Sequence, residues 1–426
     1  ATMLHTAAVS IIPDGEMALH RGLEAFYDNI IETRMDKGML DFAYRALIKA
    51  VTTHLPSPHK DWLLPILETC TTFIHAAADV AENRETILTQ SVDAAFAKHP
   101  DMEARFPGAR RKAEEDFDLL LRRCTLALVP NGEENLADGM WIFCQSLFAS
   151  GYGPKFITEA HAELRKVFGK YSDRPTNTAV GAIMDRVVAT SAAFAELAEK
   201  EDIILHEATN VLYSKHPQIA ERHRNAKAKT QRDMAQVLRH AALLGVPGAE
   251  KRFITLMRTL TEVITKGKFG AAFIHDAYEM LRGAADAHLP KHAKKQLARP
   301  LEVTRDYLSL VAGLGDHEDE ILTESLDKLF AKRGTQMAKY MDVKEQTRHD
   351  ERMILRSAAL SLVPGGEREH ARLLELMGVV VQRNQFDKPM LVDAYTALTD
   401  SCTARLKHGP VKQLVSTVQK SVQTFA

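Results

Sequence analysis

One short motif returns at a fixed spacing and constrains the fold more than any other feature. Ile12-Pro13-Asp14-Gly15-Glu16 recurs as Val129-Pro130-Asn131-Gly132-Glu133, as Val246-Pro247-Gly248-Ala249-Glu250, and as Val363-Pro364-Gly365-Gly366-Glu367, each copy 117 residues after the last. Other columns hold the same register. Ala43, Ala160, Ala277 and Ala394 align, and so do Leu47, Leu164, Leu281 and Leu398, with Tyr44, His161, Tyr278 and Tyr395 between them. Leu4, Leu121, Leu238 and Leu355 form a further column, followed by His5, Arg122, Arg239 and Arg356. Self-similarity at one period marks a repeat architecture. A unit of this length exceeds a solenoid repeat and can bury a core of its own.

The second unit shows the local pattern best. Ile87, Leu88, Val92, Ala95 and Phe96 form a stripe of helical period that ends at His99-Pro100. Further helices are expected over about 111–128, 133–149 and 156–168, and a fifth after Pro175. The Pro130-Asn131-Gly132 turn stops the first of these, and Gly151-Tyr152-Gly153-Pro154 separates the next two. No breaker divides the fifth helix from the first helix of the next unit, and the segment from Ile66 to His99 contains neither Gly nor Pro. Helices shared between units are therefore expected. At the third junction Gly313 and Gly315 predict an interruption, with the acidic run Asp316–Glu320 as the N-terminal cap of a restarted helix. The fold class that follows is all-α: helical domains in tandem, joined by long shared helices, with units over 1–78 (incomplete), 79–196, 197–314 and 315–426.

Composition narrows the function. The 55 Lys and Arg balance 56 Asp and Glu, which weighs against a general nucleic-acid or membrane-surface binder. No apolar run approaches the roughly 20 residues of a membrane span, and the start of the chain lacks the pattern of a signal peptide. Cys70, Cys124, Cys144 and Cys402 are scattered with no CxxC, so neither a disulfide framework nor a zinc ribbon is expected, and a reduced, cytoplasmic setting is. No nucleophile elbow, P-loop, dinucleotide fingerprint or HExxH pattern occurs, so the reading is non-enzymatic, with no metal site. His216, His223 and His240, with Arg222, Arg224, Lys227 and Lys229, read as a solvated basic face.

Several segments resemble the phycobiliproteins. Ala81-Glu82-Asn83-Arg84-Glu85-Thr86-Ile87-Leu88, running on to Phe96-Ala97-Lys98-His99-Pro100-Asp101, is similar to that family's second helix. Glu115-Asp116-Phe117-Asp118-Leu119-Leu120-Leu121-Arg122 resembles its chromophore-binding helix, with Arg232-Asp233 and Leu238-Arg239, and His349-Asp350 and Leu355-Arg356, repeating the match. The resemblance implies globin-like helical units. The family tethers its bilin through a cysteine three residues before the aspartate, and the matching positions here are Ala113, Thr230 and Thr347. Covalent attachment there is excluded, and Cys124, eight residues after Asp116, is a poor substitute. What the resemblance leaves is a non-covalent tetrapyrrole, or bilin, held by Asp116, Asp233 and Asp350 with Arg122, Arg239 and Arg356 nearby. The bland alternative is local caps and salt bridges. Haem needs an axial ligand, and the helix from Glu133 has no histidine, while His20 and His370 fall in different columns. The tyrosines aligned with His161 are expected to pack with their hydroxyls at the surface.

Ala1 falls in the register of Asp118, inside a helix, so the first unit is expected to lack a third of its fold and to expose core surface. That predicts a fragment, or protein partners or self-association that complete the unit, with head-to-tail completion producing filaments. The expected function is a structural or assembly protein without covalent bilin, in a filament or larger complex; the alternative is non-covalent tetrapyrrole binding in light harvesting or sensing.

Overall fold

A computed structural model describes residues 7–8, 10, 15–150, 154–223, 225–339, 342–384 and 388–424. The columns at Leu4 and His5, the first turn at Ile12–Asp14 and the break at Gly151–Gly153 lie outside the described residues. Among the described residues the chain is all-α, with no strand.

The helices repeat with the sequence. α1 (Gly15–Thr33), α2 (Lys37–His54) and α3 (His59–Lys98) come first, then the short α4 (Met102–Arg105), α5 (Ala109–Leu126), α6 (Gly132–Ser150) and α7 (Pro154–Tyr171). α8 (Arg174–Lys215) and the short α9 (Pro217–Arg222) lead to α10 (Ala226–Leu243), α11 (Glu250–Gly267), α12 (Ala271–His288) and α13 (Lys291–Met337). α14 (Val343–Leu360), α15 (Gly366–Asn384), α16 (Lys388–Arg405) and α17 (Val411–Thr424) complete the order. α5, α10 and α14 start one repeat apart, and so do α2, α7, α12 and α16.

The recurring motif is a helix stop. The amides of Val129, Val246 and Val363 donate to the carbonyls of Leu126, Leu243 and Leu360 at 3.1, 2.8 and 3.0 Å. The third motif position then takes left-handed backbone: Asn131 at φ 62°, Gly248 at 81° and Gly365 at 82°. Glycine and asparagine tolerate that region, which explains their choice. The valines are buried, at 3% exposure or less. Each described turn also seats on the preceding repeat. A side chain on Gly248 would overlap the backbone of Glu133 and Glu134, and one on Gly365 would press on Glu250 and Ile254.

Contacts gather the chain into two units, one reaching to Glu199 and including Ala242–Ala249, the other comprising Lys200–Ala241 and Glu250 onward. In the first, α3 runs 40 residues through the register of two repeats. It starts earlier than Ile66 and contains Pro65. Leu23 and Ile30 of α1, Tyr44 of α2 and Phe73 and Ile74 of α3 share a core with Leu126 and Val129. The core of the first repeat is thus closed in part by the end of α5 and its turn. In the second unit, α13 runs 47 residues and passes through Gly313 and Gly315 without a break, so the predicted interruption is absent. Glycine in a helix costs about 1 kcal/mol against alanine. Burial of Leu308, Leu310, Ala312 and Leu314 around the two glycines outweighs that.

The acids of 316–320 are therefore not a helix cap. Glu318 pairs with Arg352 at 3.1 Å and Arg356 at 2.7 Å, Asp319 with Arg348 at 2.9 Å, and Glu320 with Arg405 at 2.8 Å. They hold α14 and α16 against α13.

Among the described residues one helix, α8, is long and apolar enough to cross a membrane by length and composition alone, but half of its most apolar window is buried in the protein.

Candidate functional site: a cavity repeated in register

Two cavities lie one repeat apart. In the first unit α5, α6 and α7 enclose about 480 Å³. In the second, α10, α11 and α12, with Tyr213 and His223, enclose about 440 Å³. Most wall positions coincide in register: Ala113 with Thr230, Asp116 with Asp233, Phe117 with Met234, Phe143 with Leu260, Phe156 with Phe273 and His161 with Tyr278. Both volumes are in the range of small-molecule sites. Each cavity lies among the helix before the helix-stop turn and the two helices after it, with mostly aromatic and aliphatic walls.

The aspartates and the arginines singled out from the sequence part company here. Asp116 and Asp233 line the cavities. Asp116 pairs with Lys112 one turn back, at 2.6 Å. Burial raises the pKa of Asp233 above the ordinary carboxylate value. Arg122 and Arg239 line neither cavity. Arg122 bonds Glu24 and Asp28 of α1, both at 2.9 Å, Arg239 bonds Glu201 of α8 at 2.6 Å, and Arg356 bonds Glu318 of α13 at 2.7 Å. The last two pairs occupy the same columns, so these arginines are interhelical ties. Asp350 accepts from Gln346 at 2.9 Å, and burial raises its carboxyl pKa.

The positions matching the family's attachment cysteine, Ala113 and Thr230, do face the cavities. Thr230 bonds the Tyr213 hydroxyl at 2.8 Å. Cys124 is fully buried elsewhere in the core, and burial pushes its thiol up to about 12. The other three cysteines are also free and buried.

The column of Tyr44, His161, Tyr278 and Tyr395 corrects the expectation of surface hydroxyls. All four residues are 6% exposed or less. The Tyr44 hydroxyl is buried with no hydrogen-bond partner. His161 bonds Ser191 Oγ through Nδ1 at 2.8 Å, and its ring centroid is 4.9 Å from that of Phe143. Burial lowers its pKa to about 4, so the imidazole is neutral near pH 7. Its Nε2 has no hydrogen-bond partner among the described residues.

Of the predicted basic face, Arg222 and Lys229 are exposed and Arg224 lies outside the described residues, but the three histidines do not share that surface. His216 bonds Asp276 at 2.7 Å, His223 lies on the cavity wall with its ring 4.8 Å from Phe269, and His240 is buried, with its pKa lowered to about 4. Among the described residues no cluster of three His, Cys, Asp or Glu has metal-binding geometry.

A different departure from the repeat lies on α2. Met39 and Phe42 are 56% and 75% exposed. The residues in register with Met39 are the buried Phe156, Phe273 and Met390. Those in register with Phe42 are acids that pair with a preceding helix end: Glu159 with His99, Asp276 with His216, and Asp393 with Arg333.

Comparison of the chain with protein-family models, with curated proteins and with solved structures gave no match.

Proposed function

We propose that the chain is a non-enzymatic structural or assembly protein, built of tandem phycobiliprotein-like globin units without covalent bilin, that works in a filament or larger complex in the cytoplasm. The observation that carries this reading is the apolar face of α2. Met39 and Phe42 stand in solvent at columns that are buried or ion-paired in the other three repeats. Adjacent exposed apolar side chains of this size suit a protein partner or a second copy of the chain. The long helices α3 and α13 support a mechanical role, because each carries the end of one repeat and the start of the next. Four free, buried thiols suit a reducing compartment. Light scattering and electron microscopy of the purified chain are expected to show assemblies that shrink on Phe42→Asp, which installs the residue of the third and fourth repeats. A compact monomer at every concentration would overturn the reading.

A second reading, non-covalent tetrapyrrole binding, is favoured by the placement of Asp116 and Asp233 in register-related cavities. Visible absorbance in protein purified from its native source is expected on this reading, and a spectrum flat above the ultraviolet would eliminate it.

A further inference from the structure

The cavity of the second repeat carries a half-buried guanidinium at a position where its counterpart has none. Arg123 is half-buried on its wall. Among the described residues its guanidinium makes no hydrogen bond and no ion pair. Arg122 repels it, and Asp138 attracts it from beyond ion-pair distance. A half-buried guanidinium without a carboxylate is unusual, because desolvating a charge is unfavourable unless a partner compensates. Its place is prepared by Gly139 on α6, where a side chain would collide with the guanidinium.

The arrangement is particular to this repeat. The residues in register with Arg123 and Gly139 are His240 and Leu256 in the third repeat, and Ser357 and Leu373 in the fourth. His240 is buried and bonded to the Gln236 carbonyl at 2.9 Å, and Ser357 bonds His370 at 2.6 Å. Neither supplies a positive charge to a cavity.

The rest of the wall defines what accompanies an anion. Phe117, Met140, Phe143 and Phe156 make it apolar. Asp116 lies two turns before Arg123 on α5, roughly 10 Å along the axis. It places a carboxylate, paired with Lys112, at that end of the cavity, so an anionic group is favoured only at the Arg123 end. The neutral His161 ring offers its free Nε2 as one polar contact within the walls.

We propose that the cavity among α5, α6 and α7 binds a lipophilic molecule through a carboxylate held by Arg123. The inference rests on the second reading in sharing its cavity. A tetrapyrrole propionate and a fatty acid both offer this chemistry. The cations on the wall of the third repeat's cavity, Lys229 and Arg232, are exposed and lie beside the Asp233 carboxylate, so that cavity does not select for it.

The test is calorimetric titration of the full chain with palmitate, hexadecanol and biliverdin. Palmitate is expected to bind with one equivalent per chain and at least about tenfold more tightly than hexadecanol, as a charge-assisted hydrogen bond implies. Arg123→Gln is expected to remove that difference and leave hexadecanol unchanged. Gly139→Leu, the third repeat's residue, is expected to do the same by displacing the guanidinium, and circular dichroism checks that each variant is folded. Equal affinity for acid and alcohol, acid binding indifferent to both substitutions, or no binding of any acid would overturn the proposal. Biliverdin that binds without dependence on Arg123 would preserve the tetrapyrrole reading while overturning this one. Palmitate binding without biliverdin binding would do the reverse.

Discussion

At the scale of single residues, position in the repeat register explains more than residue type. Gly248 and Gly365 share a column and a left-handed backbone, yet their surroundings differ. A side chain at Gly248 would lie within the main chain of Glu133 and Glu134, whereas at Gly365 it would meet the flexible Glu250 side chain. Gly248→Ala is therefore expected to lose about 2–4 kcal/mol in urea unfolding, from left-handed strain plus displaced backbone, and Gly365→Ala about 1–2 kcal/mol. Equal losses would show that only the dihedral angle matters. The Val-Pro-Gly motif was legible as a helix stop in the sequence. Its seat on the preceding repeat was not, because that contact joins residues about a repeat apart in the chain. Asp116 and Asp233 could be picked out in the sequence as one repeated column. Arg123 could not, since its significance lies in the absence of a partner and in the space left by Gly139.

At the scale of elements, the long helices show where local signals fail. Gly313 and Gly315 within three residues, followed by a run of acids, read as a stop and a cap. Tertiary burial keeps α13 continuous and uses the acids as partners for arginines on α14 and α16. A methyl group at Gly315 would meet nothing within 4 Å. Gly315→Ala should therefore stabilise the protein by about 0.5–1 kcal/mol, seen as a higher thermal midpoint. A fall instead would mean that the helix needs flexibility at this position. The ties Arg239–Glu201 and Arg356–Glu318 belong to the same level. The first is mostly buried, with side chains 20% and 9% exposed, whereas Arg356 is 61% exposed. Arg356→Met is therefore expected to change stability by about 1 kcal/mol or less in the same assay.

For the whole molecule, buried titratable groups set opposing limits on stability. Glu351 sits where the second and third repeats have Phe117 and Met234. It accepts from Ser325 at 3.0 Å, its second oxygen has no partner, and burial pushes its carboxyl up to about 8. The folded protein thus keeps a proton that the unfolded chain releases near 4.5. Stability from this group is full below that value and lost as pH rises through about 8. His161 and His240 act in the opposite sense. Burial lowers both to about 4, so their contribution is full above 6.5 and lost as pH falls through about 4. Urea midpoints measured from pH 4 to 9 should pass through a maximum between these limits. Glu351→Met should flatten the alkaline side, and an unchanged alkaline fall in that variant would show that other groups cause it.

The sequence by itself determined the all-α class and the helix-stop turns, because these depend on residues within one or two helical turns of each other, and the period, because the chain displays it when compared with itself. Only the tertiary structure decided that α13 is unbroken, that the Tyr44 column is buried, and that two cavities lie in register with a lone guanidinium in one of them. Burial, ion pairing and empty volume arise between residues distant in the chain, where the free energy of packing exceeds the local preferences that a sequence displays.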